Sequence, residues 1–132
     1  ARAHGADVVL LIVAALSKNQ LEDYFHLSTE LGMRSLIEVH TNDELERALE
    51  ISPEIIGVNS RNLKTLEVDA RAFAELIPQI PSNIARVAES GISTREEVVF
   101  AQECGATAIL VGEALVRSES PTVAINQLLG RL

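Results

Sequence analysis

Residues 5–13 read Gly-Ala-Asp-Val-Val-Leu-Leu-Ile-Val, a glycine stop followed by an unbroken aliphatic run rich in β-branched residues. Such a run lacks polar–apolar alternation and suits a parallel strand whose two faces are both covered. An echo stands near the other end, where Gly105-Ala106-Thr107 leads into Ala-Ile-Leu-Val at 108–111. Between the two lie further strand-like runs at 34–39 (RSLIEV), 54–59 (EIIGVN) and 84–89 (IARVAE). Five strands are therefore predicted, over 7–13, 34–39, 54–59, 84–89 and 107–111.

Each run is followed by a helical pattern. Leu21, Tyr24, Phe25, Ser28 and Leu31 follow the 3.6-residue period, with Gly32 as the stop. Thr41 and Glu44 form a capping box ahead of Leu45, Ala48 and Leu49. Asp69 is the predicted cap of a helix whose face is Ala70, Phe73, Leu76 and Ile77, stopped by Pro78 and Pro81. Ser93 and Glu96 form a second box, for a helix ending at Gly105. Ser120-Pro121 starts the last helix, which Leu128, Leu129 and Leu132 close. Repeating strand–helix units without a linker predict an α/β fold with a parallel sheet, either open and doubly wound or part of a (β/α)8 barrel. A whole barrel needs roughly 250 residues. Residues 1–132 are thus expected to form one domain, a partial barrel of five βα units. Residues 1–7 read as the last turn of a helix and the approach to a strand, so the chain is expected to be part of a longer protein.

Composition narrows the function. A formal charge of −8, 3% aromatic residues and no tryptophan give neither phosphate-neutralising charge nor stacking platforms, which argues against nucleic acid. The longest apolar run, 8–16, has nine residues, and a membrane helix needs roughly 20. The single Cys104 fits a reducing cytoplasm and lies in an apolar pattern, so a buried structural thiol is expected. His4, His26 and His40 share no metal-ligand spacing, and neither a metal nor a cofactor is expected. For His40, next to the Thr41 cap, a local turn role is favoured.

In βα folds, chemistry sits at the carboxyl ends of the strands. Those ends carry Glu38, Asn59 with Arg61, Glu89-Ser90-Gly91 and Gly112-Glu113. Glu38 interrupts an aliphatic strand, where a carboxylate is costly unless it is paired or protonated, as a general acid or base at neutral pH requires. A solvent-facing Glu on an edge strand is the competing reading. Asn59 can both donate and accept, and Arg61 can hold a carboxylate or phosphate in a fork, although a turn Asn and a surface Arg would look the same. Ser90-Gly91 and Gly112 precede helices and form a candidate phosphate cradle for a small phosphorylated substrate. Glu113 would repel phosphate if it faced inward, so it is expected to point away and leave the contact to the backbone.

These strand ends resemble the indole-3-glycerol-phosphate synthase family. The similarity lies in residues 5–16, in LIEVHT at 36–41, IGVNSRNLKT at 56–65, VAESGI at 87–92 and ILVGEAL at 109–115. VNSRNLKT together with AESGI is the specific part. The resemblance implies strands four to eight of a barrel, and an enzyme that closes an indole ring with loss of carbon dioxide and water in tryptophan biosynthesis. It implies catalytic roles for Glu38 in proton transfer, Asn59 on the sugar hydroxyls and Glu89 in orienting the machinery. Arg61 would lie near the anthranilate carboxylate, and Ser90, Gly91, Gly112 and Glu113 would line the phosphate site. Many members have serine where Glu113 stands. The family's general-acid lysine comes from strand three, and a second lysine and a glutamate from strand one. Lys18 and Lys64 match neither lysine, so this chain alone is expected to be inactive. The alternatives are another phosphate-binding barrel enzyme, which would lack the Asn-x-Arg loop, and a non-catalytic phosphate-binding half-barrel. Self-association through open sheet edges is expected of the isolated chain.

Overall fold

A computed structural model describes residues 1–62 and 66–131. Leu63, Lys64 and Thr65, in the family-like loop, and Leu132, in the predicted final helix, lie outside the described residues. Five strands, β1 (Val8–Ile12), β2 (Arg34–Val39), β3 (Ile55–Asn59), β4 (Ala85–Glu89) and β5 (Ala108–Leu110), form one sheet in the order of the chain. Every neighbouring pair is parallel. The helices are α1 (Lys18–Glu30), α2 (Asn42–Glu50), α3 (Arg71–Leu76), α4 (Arg95–Glu103), the short α5 (Glu113–Val116) and α6 (Pro121–Leu129). A doubly wound sheet needs a reversal of strand order, and there is none among the described residues. Sequential order with crossovers of one hand puts the helices on one side, as in a barrel wall.

That arrangement corrects the expectation of a sheet covered on both faces. The helix-facing side chains Val13, Ile37, Val39, Ile56, Val58 and Ala88 are buried with Leu21, Leu45, Phe73 and Ile77 from the helices and loops. Each such aliphatic side chain contributes about 1.5–3 kcal/mol through burial. On the opposite face, Val8, Leu10 and Leu110 stand exposed. Strands β1 and β5 each have one unpaired edge.

Local signals set the helix starts. Ser120 caps α6 by accepting the Val123 N–H, with Pro121 in the first turn. Gly32 stops α1 with a φ of 73°. The box before α4 falls one residue later than predicted: Thr94 accepts the Glu97 N–H, and the Glu97 carboxylate accepts the N–H groups of Ser93 and Thr94. Thr41 caps α2, but the Glu44 carboxylate takes the His40 N–H in place of Thr41's own, so that box is half formed. Asp69 is not the cap of α3, which Ala70 precedes. Its carboxylate instead takes the Arg71 N–H and clasps the Arg71 guanidinium. Cys104 is half-buried against the core, and burial, with Glu103 nearby, pushes its thiol up.

Candidate active site

The carboxyl ends of the strands open onto one cleft of about 990 Å³, lined by Glu38, Asn59, Arg61, Glu89, the 90–93 turn and residues 110–114. Register explains why these side chains meet. Ile12, Glu38, Gly57 and Val87 form one row across the inner face of the sheet. Asn59, Glu89 and Leu110 form the next row, nearer the strand ends. Although that face lacks a covering layer, Glu38 is 6% exposed, Asn59 6% and Glu89 3%. A solvent-facing Glu38 on an edge strand is thereby excluded, since β2 is interior to the sheet.

Glu89 leans back over β3 toward Glu38. A Cβ on Gly57 would overlap the Glu89 Oε1 and Cδ atoms. Burial foremost, then the Glu38 charge and a hydrogen bond with Glu38, push the Glu89 carboxyl up to about 8. With both groups ionised, Glu89 Oε1 has no hydrogen-bond donor among the described residues. A carboxylate only accepts, so a proton held between the pair is what completes the contact. Burial therefore favours the protonated form of Glu89.

Loop geometry aims the remaining groups. Asn59 Oδ1 accepts the Arg61 N–H at 2.9 Å and turns the chain out of β3. The loop then folds back on itself: Arg61 bridges Val68 in antiparallel fashion, and the Asp69 N–H returns to the Ser60 carbonyl. Fully buried Ser60 donates to the Ser90 carbonyl at 3.1 Å, tying this loop to the turn after β4. In that turn Ser90 and Gly91 have φ values of 64° and 65°. The left-handed conformation costs a non-glycine residue such as Ser90 roughly 1–2 kcal/mol. At Gly91 a Cβ would also lie 2.5 Å from Val68 Cγ1. Gly112, before α5, has an ordinary negative φ and open space around it.

Two predicted features are corrected. Glu113 does not turn away from the cleft: it lines it, with its carboxylate 3.0 Å from Arg117 and 3.5 Å from Arg61, whose positive charges face it there. His40 has more than a local turn role. Its Nδ1 lies 2.7 Å from the Asn59 carbonyl oxygen, so it donates there and clamps the end of β3 to β2. Sequence reasoning also passed over Gly57, for which the available signal was a glycine inside a strand.

A sequential parallel βα sheet with a buried acid pair, an Asn–Arg loop and a strained Ser-Gly turn at its carboxyl ends is the architecture of a βα-barrel-type protein with a candidate site at the strand ends. A solved 3-hexulose-6-phosphate synthase superimposes on 98% of the chain and 64% of its own, with a TM-score of 0.76 at 14% identity, a likeness of fold alone. The chain belongs to the indole-3-glycerol phosphate synthase family, whose model matches residues 1–128. Indole-3-glycerol phosphate synthase of Kineococcus radiotolerans is 53% identical over 128 residues, 97% of this chain and 47% of the relative. The Rhodococcus jostii enzyme of the same name is 51% identical over 97% of this chain and 48% of its own length. The chain thus spans about half the length of these curated relatives, over their C-terminal portion. No helix among the described residues is long and apolar enough to cross a membrane.

Proposed function

We propose that the complete protein is a cytoplasmic indole-3-glycerol-phosphate synthase, a carboxy-lyase of tryptophan biosynthesis. It would close the indole ring of a phosphorylated carboxyphenylamino-deoxyribulose with loss of carbon dioxide and water. The observation that carries this reading is the buried Glu38–Glu89 pair beside Asn59 and the Ser90-Gly91 turn in one cleft, in a chain of this family. Dehydration needs one group to take a proton and another to give one back, and a carboxyl pair of which one member stays protonated near neutral pH is suited to that. Asn59 would fix the sugar hydroxyls, and Arg61 the anthranilate carboxylate. The backbone of the 90–91 and 112–113 turns would hold the phosphate, with Arg61 and Arg117 offsetting the Glu113 charge.

Neither nucleic acid nor a membrane enters this reading, and no cofactor is invoked. Chain 1–132 alone would not turn over, because its two lysines do not supply the strand-three proton donor that the resemblance calls for. It would self-associate through its open sheet edges, with its uncovered inner face alongside. The test is ring closure by a complete barrel, made by joining the chain to the N-terminal portion of the K. radiotolerans relative. Turnover by that barrel and none by residues 1–132 is expected. An inactive, folded barrel would refute the assignment.

A further inference from the structure

Gly57 is the one glycine within a strand among the described residues, and it stands where the two buried carboxyls meet. Glycine inside a strand is disfavoured relative to alanine, so its presence needs a cause. The usual causes are a positive φ, a bulge or a close approach. Gly57 is not among the positive-φ residues. Its register is unbroken on both sides, Glu38↔Gly57 and Gly57↔Val87, so there is no bulge. What remains is close approach, and the approaching group is the Glu89 carboxyl, into which a Cβ at 57 would project. The other near neighbour, Leu36 Cδ1 at 3.2 Å, is the far end of a flexible side chain and can give way.

We propose that Gly57 is a positioning residue: the missing side chain lets the Glu89 carboxyl lie across β3 against Glu38, and so sets how the two carboxyls share a proton. The inference rests on reading Glu38 and Glu89 as the acid–base pair of the proposed reaction, and it adds the element that makes them a pair. Glu89 starts one register row above Glu38. If its side chain ran straight toward the strand end, it would enter the wider cleft, away from Glu38. The charged groups lining that cleft are Glu38 from β2, Arg61 from the β3 loop, Glu97 from α4, Glu113 from α5 and Arg117 just after it. Arg61 and Arg117 are engaged by Glu113, and Glu97 by the Ser93 and Thr94 amides. Glu38 is left as the group that sets the proton affinity of Glu89 beyond burial itself.

Gly57→Ala would drive the Glu89 carboxyl out toward solvent and the arginines. Both changes favour its ionised form. The test uses the complete barrel with 13C-labelled glutamate carboxyls, titrated by NMR, with the Glu89 signal assigned through Glu89→Gln. In the wild type, Glu89 should titrate near pH 8. In Gly57→Ala its midpoint should fall by about one unit or more, a tenfold or larger change in proton affinity, with the circular dichroism unchanged. The alkaline limb of kcat/KM should move with it, and kcat should fall while KM stays within about threefold, because the substrate-binding groups are untouched. An unmoved Glu89 midpoint in a folded Gly57→Ala protein would overturn the proposal. If Gly57→Ala does not fold, Gly57→Ala/Glu89→Ala must restore folding, since it removes the overlapping side chain; a double variant that also fails to fold overturns it equally. The titration needs no turnover, so a barrel that titrates as expected yet closes no ring refutes the proposed function and leaves this inference standing.

Discussion

Replacing Glu89 with Gln should stabilise the protein at alkaline pH and change little in acid. Burial, with the Glu38 charge beside it, pushes the Glu89 carboxyl up to about 8 in the folded chain, against 4.5 for an ordinary glutamate. Between those values the folded protein keeps a proton that the unfolded chain has lost. Unfolding then releases a proton, so stability falls as pH rises through that window and levels off above it. Ionising Glu89 in place costs ~5 kcal/mol more than ionising it unfolded. Against a typical domain stability of about 5–15 kcal/mol, that is a large share. Gln keeps the shape, never ionises, and its amide can donate to Glu38. Urea unfolding of the complete barrel and its Glu89→Gln variant at pH 5, 7 and 9 measures the difference. The two should agree within ~1 kcal/mol at pH 5, and the variant should lead by ~3–5 kcal/mol at pH 9. Parallel pH profiles, or a less stable variant at pH 9, would refute the reasoning. Glu38→Gln separates the causes. Burial outranks the Glu38 charge, so most of the wild-type pH slope should survive it; a slope abolished by Glu38→Gln would show that repulsion, not burial, holds the proton.

Glu38→Gln in the complete barrel should lower turnover by about 10²–10⁴ with little loss of stability, and steady-state kinetics beside urea unfolding check it; near-normal turnover would reduce Glu38 to a structural role. Inorganic phosphate should shift the backbone amide signals of Gly91 and Gly112 in a titration followed by NMR, and unchanged signals would remove the 90–91 and 112–113 turns as the phosphate site. Sedimentation of residues 1–132 at micromolar concentration should show association driven by Val8, Leu10, Leu110 and the free edges of β1 and β5; a folded monomer would contradict it.

The strands and their order were legible because aliphatic runs and glycine stops mark parallel strands directly, and Glu38 was legible because it breaks such a run. What covers each face was not. A barrel interior and a helix layer both ask for aliphatic side chains, so the runs at 8–12 and 108–110 read alike whichever face is bare. The box before α4 shifted because Ser93-Thr94-Arg95-Glu96-Glu97 contains two overlapping S/T-x-x-E frames. The turn after β4 lies against Val68 and Ser60, more than twenty residues upstream. Glu113 and His40 were misread for a common reason. Each has a distant partner: Arg61, 52 residues from Glu113 and additional to its neighbour Arg117, and the Asn59 carbonyl, a backbone atom that no residue type announces.

The distribution of unfavourable features argues for function independently of any relative. A left-handed Ser90, a pair of carboxyls in contact and a glycine inside a strand each cost stability. Chance would scatter them over the sheet. All three lie in or just after β2, β3 and β4, within or beside one cleft. Directly behind them, on the helix-facing side, Ile37, Ile56, Val58 and Ala88 have no exposed surface, so a rigid apolar layer backs the strained one. A fold that only had to be stable would place an aliphatic side chain at 38 and 89, a β-branched residue at 57 and a glycine at 90. The polar choices are compensated by the core behind them, and they converge on one place where a proton can be held between two carboxyls.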